Sequence, residues 1–362
     1  MTTAKLVGSF FSVCLVLLVL EVGLAWGQQE LKEATDLNQT VLKLYQAGKY
    51  ANAIPLAQRA LALREQTLGP THPDVAQSLN NLAGLYYIQG RYAQAEPLYK
   101  RSLAIQEQAL GPEHPNVAQS LNNLAELYRT QGRYTQAEPL YERSLAIRWK
   151  TLGPNHPDVA QALNNFAGLY YVQGRYAQAE PLYKRSLAIR EQALGPNHPD
   201  VAQSLNNLAE MYRTQGQYAQ AESLFKRSLA IQEQALGPDH PDVAQSLNNL
   251  AELYRTQTRY AQAEPLYKRS LAIREQTLGP DHPDVAQSLN NFAGLYYVQG
   301  RYAQAEPLYK RSLAIREKAL GPDHPDVAQS LENMAALFRK IGREREAAIL
   351  EKRAATIRAT KL

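Results

Sequence analysis

All seven histidines of the chain fall at one interval: His72, His114, His156, His198, His240, His282 and His324, each 42 residues beyond the last. A chain that repeats itself at a fixed interval is built from copies of one unit, so the two or three domains that 362 residues ordinarily suggest do not apply. Residues 28–362 fall one residue short of eight such units and so are filled by them. In Pro73–His114 the apolar positions Leu79, Leu82, Ala83, Leu85 and Tyr86 follow the 3-and-4 spacing of a helix face. Gly90 supplies the left-handed residue that ends this helix A. Tyr92, Ala95, Leu98, Tyr99, Ser102, Leu103 and Ile105 mark a second buried stripe, helix B, which Gly111-Pro112 terminates. In Asp281-His282-Pro283-Asp284 the first aspartate is expected to cap the next helix A, with proline in its first turn and the second aspartate complementing the helix dipole. Pro55, Pro97, Pro139, Pro181, Pro265 and Pro307 fall inside helix B and predict a slight bend there, whereas Ser223 stands once in their place. Two such helices cannot bury their faces alone, so each pair must stack on the next.

Residues 1–27 lie outside this pattern. Lys5 precedes an apolar run, Leu6–Leu20, and Ala25-Trp26-Gly27 offers a small-x-small cleavage site before Gln28. This is the layout of a secretory signal peptide, which implies an exported protein, whether periplasmic, secreted or at the cell surface. The run is shorter than a bilayer span and Glu21 interrupts it, so a membrane anchor over residues 6–26 is expected only if the segment stays uncleaved. Cleavage would also remove Cys14, the one cysteine of the chain.

The pattern Leu79, Leu82, Ala83, Tyr86, Gly90, Tyr92, Ala95, Tyr99, Ser102 resembles the tetratricopeptide repeat. In register, its 34-residue motifs span 34–67, 76–109, 118–151, 160–193, 202–235, 244–277, 286–319 and 328–361. The 42-residue spacing, the LNNLA core and the LGPDHPDVA linker are similar to the repeats of kinesin light chains. The resemblance implies an all-α fold, a right-handed superhelical α-solenoid of about eight stacked antiparallel helix pairs that binds a protein or peptide along the concave face of its A helices. An export segment, rather than a heptad pattern, precedes the repeats, which points toward exported bacterial arrays and leaves a kinesin-light-chain-like cargo adaptor as an alternative only if the N-terminal signal is not used. Some of those arrays accompany a caspase-like domain, so an accessory subunit of a protease-like effector is the other alternative.

Comparison of the units locates where a ligand would sit. Units two, four and seven carry Gly84/Tyr87/Ile88, Gly168/Tyr171/Val172 and Gly294/Tyr297/Val298. Units three, five and six carry Glu126/Arg129/Thr130, Glu210/Arg213/Thr214 and Glu252/Arg255/Thr256. Offsets of 3 and 4 put each trio on one helical face. Either these pairs hold local ion pairs left by drift after duplication, or they line a groove of alternating aromatic and polar segments suited to an acidic and apolar partner. On the second reading, reversing the charge of Arg213 and Arg255 weakens capture at an unchanged melting temperature. Beside the trios runs a ladder of Asn81, Asn123, Asn165, Asn207, Asn249, Asn291 and Asn333. Asparagine is a poor helix former, so each needs a reason, and the two open ones are hydrogen bonding to a bound peptide, which the resemblance implies, and bonding between repeats.

No catalytic grouping, phosphate-cradling loop or HExxH motif occurs, and no enzyme activity, cofactor or metal site is expected. Successive histidines lie a whole helix pair apart, far beyond the ~2.1 Å reach of zinc donors. The net charge of +5 is mild, and residues 332–362 alone hold eight Lys/Arg against four Asp/Glu, so the surplus belongs to the last unit. With a near-neutral body and tyrosines at packing positions, no nucleic-acid partner is expected.

Overall fold

A computed structural model describes residues 27–359, all of whose regular structure is helical. The expected export segment lies outside the described residues except for Gly27, which is helical. The odd-numbered helices are α1 (27–46), α3 (Pro73–Ile88), α5 (Pro115–Thr130), α7 (Pro157–Val172), α9 (Pro199–Thr214), α11 (Pro241–Thr256), α13 (Pro283–Val298) and α15 (Pro325–Lys340). Between them come α2 (Tyr50–Leu68), α4 (Tyr92–Leu110), α6 (Tyr134–Leu152), α8 (Tyr176–Leu194), α10 (Tyr218–Leu236), α12 (Tyr260–Leu278), α14 (Tyr302–Leu320) and α16 (Glu344–Ala359). Each odd helix pairs with the even helix that follows, and the pairs stack as an α-solenoid. Helices α5, α7, α9, α11 and α13 also touch their odd neighbours, so the stack curves with odd helices on its inner side. None of the described helices is long and apolar enough to cross a membrane.

Each odd helix from α3 onward starts on histidine, and in α13 the cap is His282 rather than Asp281 before it. The Nδ1 of His72 accepts a hydrogen bond from the Asp74 amide at 3.1 Å, and the other six histidines cap in the same way. The following proline explains the shift by one residue, because it drives its predecessor into extended backbone, the conformation an N-cap needs. His72 accordingly has φ −72° and ψ 143°. At the other end of α3, Gly90 takes φ 63° and turns the chain into α4. The helices run through their internal prolines without interruption.

Packing between units is repeated as closely as the sequence. Val117, Ala118, Leu121 and Ile147 form one local cluster, and the same four positions recur down the stack. A second core runs continuously through every unit. Buried Ser102 donates to the Ala76 carbonyl at 2.7 Å, tying α4 to α3, and five later serines repeat the bond. Between units, Arg133 reaches Glu96 at 2.7 Å while its guanidinium lies 4.1 Å from the Tyr128 ring centroid. Arg133 holds the Glu96 carboxyl down to about pKa 2, against its partial burial. Even helices are linked by rungs such as Arg143 to Glu107 at 2.6 Å. One rung is broken: Trp149 stands where glutamate belongs, and Arg185 turns to Asn155 Oδ1 at 3.0 Å.

The stack meets itself after six units. His324 Nε2 lies 2.8 Å from the carbonyl oxygen of Ile88, 236 residues away. One unit earlier, Gly48 packs so closely on Pro283 that a Cβ would come within 2.6 Å of the ring. Unit one thus rests on unit seven, and unit two on unit eight. His282 and His324 are each 8% exposed as a result, whereas the side chain of the equivalent His156 remains 42% exposed.

Candidate functional site

The inner face is built from the last two turns of each odd helix. Its asparagine ladder is a chain of bonds between units: Asn123 Nδ2 donates to Asn80 Oδ1 at 3.0 Å and Asn165 to Asn122 at 2.9 Å. Asn207, Asn291 and Asn333 repeat the link. The amide oxygens are occupied too, since Gln119 donates to Asn123 and Gln245 to Asn249. Of the two reasons open for these asparagines, bonding between repeats is the one the geometry displays. The link is missing at Asn249: Asn206 is turned so that its Nδ2 donates to Ser246 Oγ at 2.9 Å, and its Oδ1 has no partner among the described residues. Asn81, in the second unit, lines a cavity with Asn38 and Asn123.

Both kinds of trio are engaged locally. Glu126 and Arg129 form a bidentate pair, as do Glu210 with Arg213 and Glu252 with Arg255. Burial pushes the Glu126 carboxyl up, but Arg129 outweighs it and holds the group below its ordinary value. Charge reversal at Arg213 or Arg255 therefore sets carboxylate against carboxylate in a part-buried position, and the expectation of an unchanged melting temperature does not hold. In the aromatic units, Tyr87 is bonded to Thr130 of the next unit at 2.8 Å and Tyr171 to Thr214 at 2.9 Å. Tyr297 has lysine at the matching position, Lys340, and packs on Tyr302 with ring centroids 5.8 Å apart.

Cavities open on this face at Gly84, Gly168 and Gly294. Those at Gly168 and Gly294, of ≈ 320 and ≈ 300 Å³, share one wall plan: a glutamate–arginine pair from the preceding unit, three asparagines, a tyrosine and valine, and a tyrosine from the even helix beneath. The cavity at Gly84 is larger, ≈ 450 Å³, and more apolar, because Leu42 and Tyr45 of α1 replace the ion pair. The tyrosine floors are Tyr99, Tyr183 and Tyr309, and a Cβ on each glycine would lie 3.7 Å from the hydroxyl.

Sequence reasoning missed the buried arginines of the even helices. Arg190, Arg274 and Arg316 are 2 to 4% exposed and have no carboxylate partner among the described residues. Arg274 instead donates to the Asp284 carbonyl at 3.0 Å, to Ser288 Oγ at 2.9 Å and to Gln245 Oε1. Burial lowers the Arg274 pKa from its ordinary value. The available signal was an alternation at one position, Gln106, Arg148, Arg190, Gln232, Arg274, Arg316, directly after the constant Ser-Leu-Ala-Ile. The basic surplus of the last unit also changes meaning, since Arg339, Arg343, Arg353 and Arg358 are all ion-paired.

Overlapping matches to the tetratricopeptide repeat family model run from residue 41 to residue 360. Nephrocystin-3 of Xenopus laevis is 41% identical over 61 residues, which is 17% of this chain and 5% of that protein. A solved structure described as a Podosopora anserina putative kinesin light chain with nearly identical TPR-like repeats is 30% identical, spanning 57% of this chain and 97% of its own, with a TM-score of 0.47. A Rap protein complexed with Competence and Sporulation Factor is 16% identical and spans 92% of this chain and 99% of its own, with a TM-score of 0.58; the likeness is one of fold.

Proposed function

This chain belongs to the tetratricopeptide repeat family, whose arrays typically scaffold protein–protein interactions, and we propose that it is an exported scaffold that captures a partner segment along its inner face. One observation carries the reading: among nearly identical units, the trio positions of the odd helices differ as a set, and these positions line the three cavities. Drift alone scatters changes over a unit's surface. Tyr87, Tyr171 and Tyr297 supply rigid contact area, and the asparagine ladder fixes the spacing between the cavities. Apolar and acidic residues are the partner chemistry that suits these walls.

The test exchanges unit type without leaving sequence the fold already accepts. Converting Gly84/Tyr87/Ile88, Gly168/Tyr171/Val172 and Gly294/Tyr297/Val298 to Glu/Arg/Thr fills all three cavities. Affinity capture from the exporting cell, read by mass spectrometry, is expected to lose the partner held by the wild type while the variant stays folded. Equal recovery of the same protein overturns the proposal. Export rests on residues 1–27, and N-terminal sequencing of the mature chain is expected to begin at Gln28; retention of the intact chain in the cytoplasm overturns it.

A further inference from the structure

The two classes of unit supply an internal template for what the cavities hold. In units three and six the even-helix tyrosine donates to the odd-helix glutamate: Tyr141 Oη to Glu126 Oε2 at 2.6 Å, and Tyr267 Oη to Glu252 Oε2 at 2.7 Å. In units four and seven the same tyrosines, Tyr183 and Tyr309, lie beneath Gly168 and Gly294. Both rings are buried, 4 and 5% exposed, and neither hydroxyl has a hydrogen-bond partner among the described residues. The carboxylate that these hydroxyls meet elsewhere in the protein is absent, and a cavity stands in its place. Glycine there is not demanded by packing, because a Cβ would meet the hydroxyl only at ordinary contact distance. In mid-helix it is unfavourable relative to alanine, because its backbone loses more freedom on folding.

A second donor converges on the same space. Glu252 holds Arg255 through Nε and Nη2, and Glu126 holds Arg129 likewise. In unit five the remaining nitrogen, Arg213 Nη1, donates to Thr256 Oγ1 of the next unit at 3.3 Å. Where the next unit carries Val172 or Val298 instead of threonine, that acceptor is gone and the guanidinium lines the cavity. Arg129 accordingly acts on the Tyr183 hydroxyl, opposing the upward push of burial.

We infer that the cavity at Gly294, and more weakly its counterpart at Gly168, is a subsite for an aspartate or glutamate side chain of the partner. The ligand carboxylate accepts from Tyr309 Oη as Glu252 accepts from Tyr267, with Nη1 of Arg255, the edge that its pair with Glu252 leaves over, alongside as a second donor. Gly294 is the stronger site because Ala336 closes its far wall, whereas Glu210 lies at the same place beside Gly168. The inference rests on reading the inner face as a ligand groove and names the chemistry it selects.

The probe is N-acetyl-glutamate N-methylamide, titrated into the full mature chain carrying carbon-13-labelled tyrosine rings, with Tyr309 assigned through Tyr309→Phe. A saturating shift at Tyr309 is expected, with about tenfold weaker binding of the isosteric glutamine probe, as fits the loss of charge-assisted bonds. In Gly294→Glu the chain's own carboxylate fills the subsite, so the shift is expected to vanish and the melting temperature to rise. Should that variant fail to fold, Tyr309→Phe serves instead, with at least tenfold weaker glutamate binding expected at the remaining resonances of the pocket, such as Tyr297. Equal binding of the two probes, no shift at Tyr309, or undiminished binding by the filled variant overturns the subsite. Partner capture that survives exchange of all three units, together with a clear glutamate preference, overturns the groove reading alone. Capture lost on exchange without any glutamate preference overturns the subsite alone.

Discussion

At the scale of residues, near-identity of the units turns each exception into a controlled comparison. Thr258 takes φ 60° at the turn where Gly48, Gly90, Gly132, Gly174, Gly216, Gly300 and Gly342 stand in the other units. A β-branched residue in left-handed backbone costs about 1–2 kcal/mol, so Thr258→Gly is expected to stabilise the protein by about that amount in denaturant titration. No gain would mean that the turn tolerates the side chain through contacts of its own. The buried arginines make the converse comparison. Gln232 replaces arginine and accepts from Ser246 Oγ at 2.5 Å, so the position accommodates an uncharged side chain. Arg274→Gln is therefore expected to cost under about 1 kcal/mol, and Arg274→Leu about 2–4 kcal/mol, because the latter removes the donor to the Asp284 carbonyl, Ser288 Oγ and Gln245 Oε1 at once. Similar losses for the two variants would show that the charge, not the bonding, matters. The Arg/Gln alternation was visible in the sequence, but its burial was not, since which face of an even helix meets the next unit depends on how the pairs stack.

Among the elements, both helix boundaries and helix faces were readable, because glycine, proline and the apolar spacing act within a few residues of where they stand. The cap was displaced by one residue, from Asp281 to His282, since local pattern does not say which of two neighbouring polar side chains folds back onto the amide. Helix α10 provides a test of the internal prolines. Ser223 occupies the position of Pro97 and Pro181, at the sixth residue of the helix. Proline in mid-helix ordinarily costs about 3 kcal/mol, yet α2, α4, α6, α8, α12 and α14 carry it there without interruption. Ser223→Pro is expected to cost less than about 1 kcal/mol by thermal denaturation, and a loss near the full penalty would show that α10 has adapted to serine.

The whole molecule adds the contact between successive turns, which makes two histidines unlike the other five. His324→Asn and His156→Asn both keep a competent cap, so the former's additional loss of stability, about 0.5–1.5 kcal/mol, measures the bond to Ile88. Identical losses would place that contact outside the folded protein in solution. Burial holds His282 below its ordinary pKa, opposed by Asp284 and the Gln46 carbonyl and aided by Arg274. The folded state keeps this ring neutral, while the unfolded chain takes up a proton near pH 6.5. Stability from His282 is therefore complete above that pH and falls as the pH drops through it. Small-angle scattering is expected to show the superhelix expanding on acidification, and His282→Asn to flatten the pH dependence of the melting temperature. An unchanged pH profile in that variant refutes the link.

The sequence by itself determined the unit, its two helices, their turns and the need to stack, because every one of these follows from contacts repeated within 42 residues or between adjacent copies. It also singled out the trio positions, since comparison of copies exposes whatever stacking leaves free. What the glycines of that trio create was decided only in three dimensions: a cavity exists because Tyr309 rises from one helix beneath a glycine of another while Arg255 leans in from the unit before. Closure of the superhelix after six units was likewise a tertiary result. A small rotation per unit, set by side-chain packing that is nearly the same at every interface, accumulates until His324 meets Ile88, and no local pattern records that sum.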